Sequence, residues 1–437
     1  MKKIFLLIPL FIFLSCGSDL SISPNDTFVK YFGVGGSYEM KDMITSTDGS
    51  NVLMYGNKTA ESVAGGNDTN FFIIITDQNG SVVTEMEYPI IHQSDDFKNE
   101  DDTFIDKYQV ENASRITAID GGYLVVGTSQ YPVLNEELEE TTVNLVMYGQ
   151  LDADLNLVGD WLFLGDSVNN YVGVDIAEAA DGGILVAGYT DVKGTNDLYY
   201  AKIGGTSDDW TRNGIPERPA SDDRLIRALP TSTGEFALFG QTDAITEGKG
   251  GVNVERTIIS QDGQIGNSLI YGNTSDAGDS DIDDFPFDVV EKPGGFAVIG
   301  YSDLGGGNEK PFLMSVDLTG AATNEVLYDV EFGTVNARGF SITQTLTNDI
   351  ILIGELIDFE DDQGTQRNNE LLFMRTDQAG TQIGEPKNFG VENGDDVAIR
   401  ALTTPEGNIL VGATYDFGGG LTLFALLKMN SDGELKQ

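Results

Sequence analysis

Short, nearly continuous apolar runs, each entered from a polar turn and closed by a glycine, recur along the chain. They read DGSNVLMYG to Gly56, DGGYLVVG to Gly127, DGGILVAG to Gly188, TGEFALFG to Gly240, PGGFAVIG to Gly300, TNDIILIG to Gly354 and EGNILVG to Gly412. The closing glycines are 71, 61, 52, 60, 54 and 58 residues apart, which marks a repeated unit of about 59 residues. Seven such units account for nearly all of the 437 residues. Secondary matches support the repeat: Ile226-Arg227-Ala228-Leu229 returns as Ile399-Arg400-Ala401-Leu402, and the Thr76 to Gly80 turn returns at Thr376 to Gly380.

Within the fifth unit the pattern predicts strands at 287–291, 295–301, 311–317 and 325–333. β-Branched and aromatic residues fill these runs, and Gly, Asp, Asn and Pro separate them, as in an antiparallel meander. Asp-Gly-Gly, Pro-Gly and Glu-Gly at the first turn suit hairpins that need positive φ. No helical period competes. A four-stranded sheet that is apolar on both faces must be covered on both, so the copies have to stack face to face. Radial stacking of seven gives an all-β fold, a seven-bladed β-propeller of four-stranded antiparallel blades. Several units close on an outer strand ending at Gly165, Gly272, Gly333 or Gly390, whereas the seventh runs out at Gln437 without one. A spare copy, Phe28-Val29-Lys30-Tyr31-Phe32-Gly33, stands at the N-terminus. This strand is expected to complete the last blade, because an open solenoid would leave an unpaired edge.

Composition narrows the chemistry. Lys and Arg number 25 against 70 Asp and Glu, a formal charge of −45, which opposes binding to phosphate backbones and argues against nucleic acid as a partner. One Cys allows no internal disulfide, and one Cys with one His excludes Cys/His zinc sites. Any metal would be a hard ion held by oxygens. With 53 Gly and only 2 Trp, turns are abundant and a tryptophan in every blade is ruled out.

The N-terminus has its own pattern. Lys2 and Lys3 precede an apolar run from Ile4 to Leu14, too short to span a bilayer, and Ser15, Cys16 and Gly17 follow. Ser15 before the lone Cys16 resembles a bacterial lipobox, although the usual Leu, small residue, Gly or Ala order is not kept. The resemblance implies that residues 1–15 are a lipoprotein signal peptide, that Cys16 is lipidated, and that 16–27 form a polar tether ahead of one propeller domain at 28–437. Gly17 rather than Asp after the Cys implies outer-membrane residence, with the lipid as the membrane contact. The repeats as a whole resemble those of secreted or lipidated β-propeller proteins of the Bacteroidetes. That resemblance implies a fold and an envelope address, and no activity. It differs from kelch, WD40 and quinone-dependent propellers, which use a Trp in their blades.

Three sets of residues are candidates. Counting back from the first turn of each unit gives Asp42, Arg115, Asp175, Arg227, Asp288, Ser341 and Arg400 on the predicted innermost strands, with signs that alternate around most of the circle. Facing each other, these would form an inter-blade ring of ion pairs that fixes register. Asp276, Asp279, Asp281 and Asp283 alternate along an acidic loop as calcium ligands do, without EF-hand spacing, and calcium is the one cofactor the sequence suggests. Paired carboxylates could serve glycoside hydrolysis, but 70 acids make the pattern unspecific. His92, at the end of the outer-strand run from Tyr88, reads as a surface or packing residue, and Gly305 to Gly307 and Gly418 to Gly420 as loops. The function expected is a non-catalytic, lipid-anchored scaffold binding a protein or glycan of the cell envelope. The alternatives are a glycan-active enzyme using acidic residues, with or without calcium, and a structural subunit of an outer-membrane assembly.

Overall fold

Each of the seven apolar runs becomes the second strand of an antiparallel meander, folded back on the first by a tight turn. The turn residue with positive φ is Gly49, Gly121, Gly182, Gly234, Gly294 or Gly407, and in the sixth unit Asn348 at φ 65°. A computed structural model describes residues 27–61, 67–89, 91–92, 107–108, 111–134, 140–206, 208–214, 221–244, 251–272, 282–330, 336–357, 368–391 and 394–435. Among these residues there is no helix, and seven four-stranded antiparallel sheets form a seven-bladed propeller. The innermost strands are Ser37–Thr45, Glu111–Ile119, Tyr171–Glu178, Asp223–Pro230, Asp283–Lys292, Asn336–Gln344 and Val397–Thr403, for blades 1 to 7. Each touches the next in a closed circle, which places them around the axis.

The apolar runs do not alternate with polar residues because both faces of every blade are covered. Ile350 and Leu352 pack into the seam with blade 5, and Ile351 and Ile353 into the seam with blade 7. Seven separate apolar clusters fill the seven seams. Aromatic residues ending outer strands clasp the neighbouring blade. The hydroxyls of Tyr88, Tyr271 and Tyr328 donate to the carbonyls of Leu155, Gly320 and Gly380 at 2.7, 2.8 and 2.9 Å, and these three acceptors are turn residues with positive φ.

The N-terminal strand Phe28–Phe32 pairs with Thr422–Met429 through five residue pairs, Phe28 opposite Lys428 to Phe32 opposite Phe424, and makes blade 7 four-stranded. Phe32 is buried in the seam between blades 7 and 1, and the Lys30 Nζ donates to the Asn79 carbonyl of blade 1 at 2.5 Å. Deleting residues 27–33 is expected to lower stability by at least about 2–3 kcal/mol, the worth of the Phe32 side chain alone, and to promote association through the bared edge. Urea unfolding and sedimentation of the shortened chain check this; a monomer of full stability would contradict it.

Two strand expectations need correction. The outer strand of blade 5 is Ala322–Leu327 rather than 325–333. The Tyr328 N–H still donates in register to the Pro311 carbonyl of the neighbouring strand at 2.9 Å, but Pro311 has no N–H to return the bond, so the ladder ends there while the Tyr328 ring enters the seam with blade 6. Likewise the outer strand of blade 1 ends at Tyr88, and His92 belongs to a separate two-stranded pair in which it faces Lys107.

Candidate functional site: an ion-pair ring at the propeller axis

The closing glycine of each unit has a mechanical origin that also aims the central side chains. Every innermost strand carries a β-bulge, at Lys41, Ser114, Val174, Ile226, Phe287, Phe340 and Ile399 in blades 1 to 7. In blades 1 to 6 the glycine lies opposite the residue just before the bulge, as Gly56 does opposite Met40 and Gly354 opposite Gly339. A bulge bends its strand and raises the local twist, and here a Cβ at Gly56, Gly127, Gly188, Gly240, Gly300 or Gly354 would run into the carbonyl oxygen of Glu39, Asn112, Val172, Arg224, Phe285 or Arg338. The residue after each bulge is Asp42, Arg115, Asp175, Arg227, Asp288, Ser341 or Arg400.

The structure brings these side chains together at the axis. Arg115 Nη1 donates to Asp42 Oδ1 at 3.2 Å, and its Nε lies 3.7 Å from Asp175 Oδ1. Arg227 Nε is 3.1 Å from Asp175 Oδ2, and its Nη1 donates to Asp288 Oδ1 at 3.1 Å. Arg400 Nη1 pairs with Asp288 Oδ2, and its Nε is 3.7 Å from Asp42 Oδ1, which closes the circuit. Seven positions cannot alternate in sign all the way round without two like charges meeting. Ser341 occupies that place: its neutral hydroxyl donates to Asp288 Oδ2 at 2.8 Å, and Arg400 reaches past it to the same carboxylate. Three carboxylates thus balance three guanidiniums.

The ring also grips backbone. Asp42 Oδ2 accepts from Ile116 N–H at 3.1 Å, Asp175 Oδ2 from Ala228 at 2.8 Å and Asp288 Oδ2 from Ile342 at 3.3 Å, each one blade further on. Burial by itself would raise the Asp288 carboxyl, but Arg400, Arg227, Arg115 and the Ser341 hydroxyl outweigh it and hold the group down at about 2. Burial would likewise lower Arg115, yet Asp42 and Asp175 raise it above its ordinary value.

A cavity of about 230 Å³ sits against this ring, lined by Lys41, Arg115, Phe287, Asp288, Phe340 and Arg400 among others. Its walls come from the innermost strands of blades 1, 2, 5, 6 and 7, so it lies on the axis. Four of its lining residues are the unpaired bulge residues of blades 1, 5, 6 and 7. The Phe287 and Phe340 rings are 4.8 Å apart, and behind Phe287 the Tyr301 ring stacks on it at 5.8 Å, with the Arg338 guanidinium over Tyr301 at 4.8 Å.

Another perturbed acid lies away from the ring. Burial, with Glu370 and Asp416 nearby, pushes the Asp396 carboxyl up to about 7, although it accepts N–H bonds from Val391 at 2.6 Å and Asp416 at 3.1 Å. A carboxyl raised in the folded state stabilises below its unfolded value near 4 and loses that contribution as pH climbs toward 7. Stability is therefore expected to fall as pH rises from about 4 to about 7, and Glu370→Gln to raise the melting temperature at pH 8 by a few degrees with little change at pH 5. Equal shifts at both values would contradict this origin.

Of the acidic loop, Asp276, Asp279 and Asp281 lie outside the described residues. Asp283 opens the innermost strand of blade 5, where its Oδ1 accepts from Val252 N–H at 2.6 Å. Among the described residues no group of three or more His, Cys, Asp or Glu side chains could hold a metal. Cys16 and the rest of residues 1–26 also lie outside them. The Gly305 to Gly307 and Gly418 to Gly420 turns join strands, with no helix after either. What sequence reading missed was the aromatic wall: Phe287 and Phe340 precede the ring residues directly, but only the bulge turns both toward the axis.

No protein-family model matches the chain, and a search of curated proteins finds no match. Among solved structures it is similar to a protein of unknown function from Dyadobacter fermentans, with 11% identity over 92% of this chain and 98% of that one and a TM-score of 0.44. A protein of unknown function from Bacteroides caccae shares 12% identity over 66% of this chain and 87% of that one, at a TM-score of 0.38. The polysaccharide lyase Uly1 shares 10% over 97% and 94%, at 0.48. At such identities and scores the likeness carries no inference about activity.

Proposed function

We propose that the protein is a non-catalytic binding scaffold of the cell envelope, held to the outer membrane through lipid on Cys16, with a protein or glycan as its partner. The observation that carries the non-catalytic half is the state of the axial acids. Asp42, Asp175 and Asp288 are each engaged by arginine and by a backbone amide of the next blade. A glycan-active enzyme working through two carboxyl groups needs one that keeps a proton near neutrality. Asp288, held down at about 2, is ionised, and Asp396, raised to about 7, has no exposed surface from which to reach a substrate. The open part of the axial cavity is instead aromatic and apolar, which suits binding.

The test has two arms. Affinity purification of the full-length protein from detergent-solubilised envelopes should recover one protein or glycan at a fixed ratio, and Cys16→Ser should move the protein out of the membrane fraction. Turnover of any acidic or neutral polysaccharide by the purified chain, abolished by a ring-acid variant that still folds, would replace this reading with the enzymatic one.

A further inference from the structure

We infer that the axial cavity is a binding site for a small carboxylate borne on a single six-membered ring. The inference deepens the scaffold reading by naming a ligand class, and it rests on that reading. Three features converge. In Arg115, Arg227 and Arg400, Nη1 donates to a ring carboxylate and Nε faces one. Their Nη2 amines make no hydrogen bond among the described residues, and they are not among the side-chain atoms sealed from solvent. Each guanidinium has five N–H donors in a fixed fork, so the circuit leaves donors over at the axis, and of the three arginines Arg115 and Arg400 line the cavity. The acceptors are already in use: Asp288 Oδ2 alone serves Arg400, Ser341 and the Ile342 amide. An added oxyanion is the group such surplus donors recognise.

The second feature is the wall. Phe287, Phe340, Val397 and Ile399 make up the apolar part of the lining, beside Arg115, Arg400 and Asp288 of the charge-balanced ring. A ligand must therefore be amphipathic, with its charge at one end and a flat apolar face behind it. The third is size. The cavity of about 230 Å³ has room for roughly eight waters by liquid volume, which suits one ring and a carboxylate and excludes a long chain held entirely inside. Lys41 at the rim adds a cation, itself paired with the exposed Glu39. Two sources share this chemistry, an aromatic acid and the uronic-acid unit of a glycan, since either lays a ring face on the phenyl rings and a carboxylate toward the guanidiniums.

Isothermal titration of the purified full-length chain with benzoate, glucuronate and their neutral counterparts benzyl alcohol and methyl glucoside tests the proposal. Saturable binding of at least one acid is expected, with its neutral counterpart at least about tenfold weaker, as loss of a charge-assisted hydrogen bond implies. Phe340→Ala should weaken that acid about tenfold or more, and Lys41→Glu should weaken it while leaving the melting temperature within a degree or two, which separates lost binding from lost folding. Tighter benzoate or tighter glucuronate identifies the source, and either supports the site. No saturation by any of the four compounds up to about 10 mM, equal binding of acid and neutral counterpart, or an unchanged affinity in a folded Phe340→Ala chain would each overturn it. The titration needs no envelope partner, so it fails or succeeds independently of the co-purification.

Discussion

Asp288→Ala is expected to lower folding stability by about 3–5 kcal/mol, the cost of leaving buried charges without their partner. Asp288 is 2% exposed and answers to four groups at once: Arg227 Nη1 at 3.1 Å, Arg400, the Ser341 hydroxyl at 2.8 Å and the Ile342 amide at 3.3 Å. Its removal would leave three carboxylates reduced to two against three guanidiniums, in a place that bulk water reaches poorly. Urea unfolding at pH 7 against Lys41→Ala, expected to cost about 0.5 kcal/mol or less at the surface, measures the difference; a loss below about 1 kcal/mol would show that the ring is ornamental to stability. The same residue predicts an acid limb. Its carboxyl is depressed in the folded state, so its contribution is complete above the unfolded value near 4 and disappears as pH falls toward 2. Asp288→Asn should flatten that limb.

Gly354→Ala is expected to cost about 3 kcal/mol, at the upper end for overpacking, and Gly412→Ala distinctly less. At Gly354 an added Cβ runs into the Arg338 carbonyl oxygen and comes within 2.9 Å of its carbon and 3.1 Å of Gly339 Cα. All are backbone atoms of the bulged strand, and they cannot yield without breaking its ladder. At Gly412 the nearest atom is Met40 Sδ at 2.7 Å, the far part of a flexible side chain. The register explains the contrast: in blade 7 the closing glycine pairs with the ring residue Arg400 itself, whereas Gly354 pairs one place earlier, with Gly339. Equal costs in thermal unfolding of the two variants would mean that the bulge does not impose the glycine.

These two results bear on how far the fold could be read from residues. The repeat was legible because a seven-fold ring demands the same local solution seven times, and the need for a turn residue and a bulge-facing glycine leaves letters that do not vary much. The all-β class, the seven blades and the closing strand Phe28–Phe32 follow from that periodicity and from the missing partner at the C-terminus. Strand ends were less legible. The ladder of blade 5 ends where Pro311, opposite Tyr328, has no N–H to return a bond, and the Tyr328 hydroxyl goes to the Gly380 carbonyl of another blade, 2.9 Å away, a partner that nothing near residue 328 in sequence announces.

At the axis the division is sharper. By itself the sequence determined that charged residues of alternating sign recur one per blade, and that a serine takes the sixth place. Its spacing to the closing glycine varies between 12 and 14 residues, and a slip of one would send every one of these side chains to the other face. Only the tertiary structure decided their direction. The bulge adds the residue that resets the alternation, the circle of strands brings Arg400 back to Asp42 across 358 positions of chain, and the odd number of blades makes a neutral Ser341 the way to close the charges. The aromatic wall of Phe287 and Phe340 is decided there too, because bulge residues far apart in sequence face one cavity only once the ring is shut.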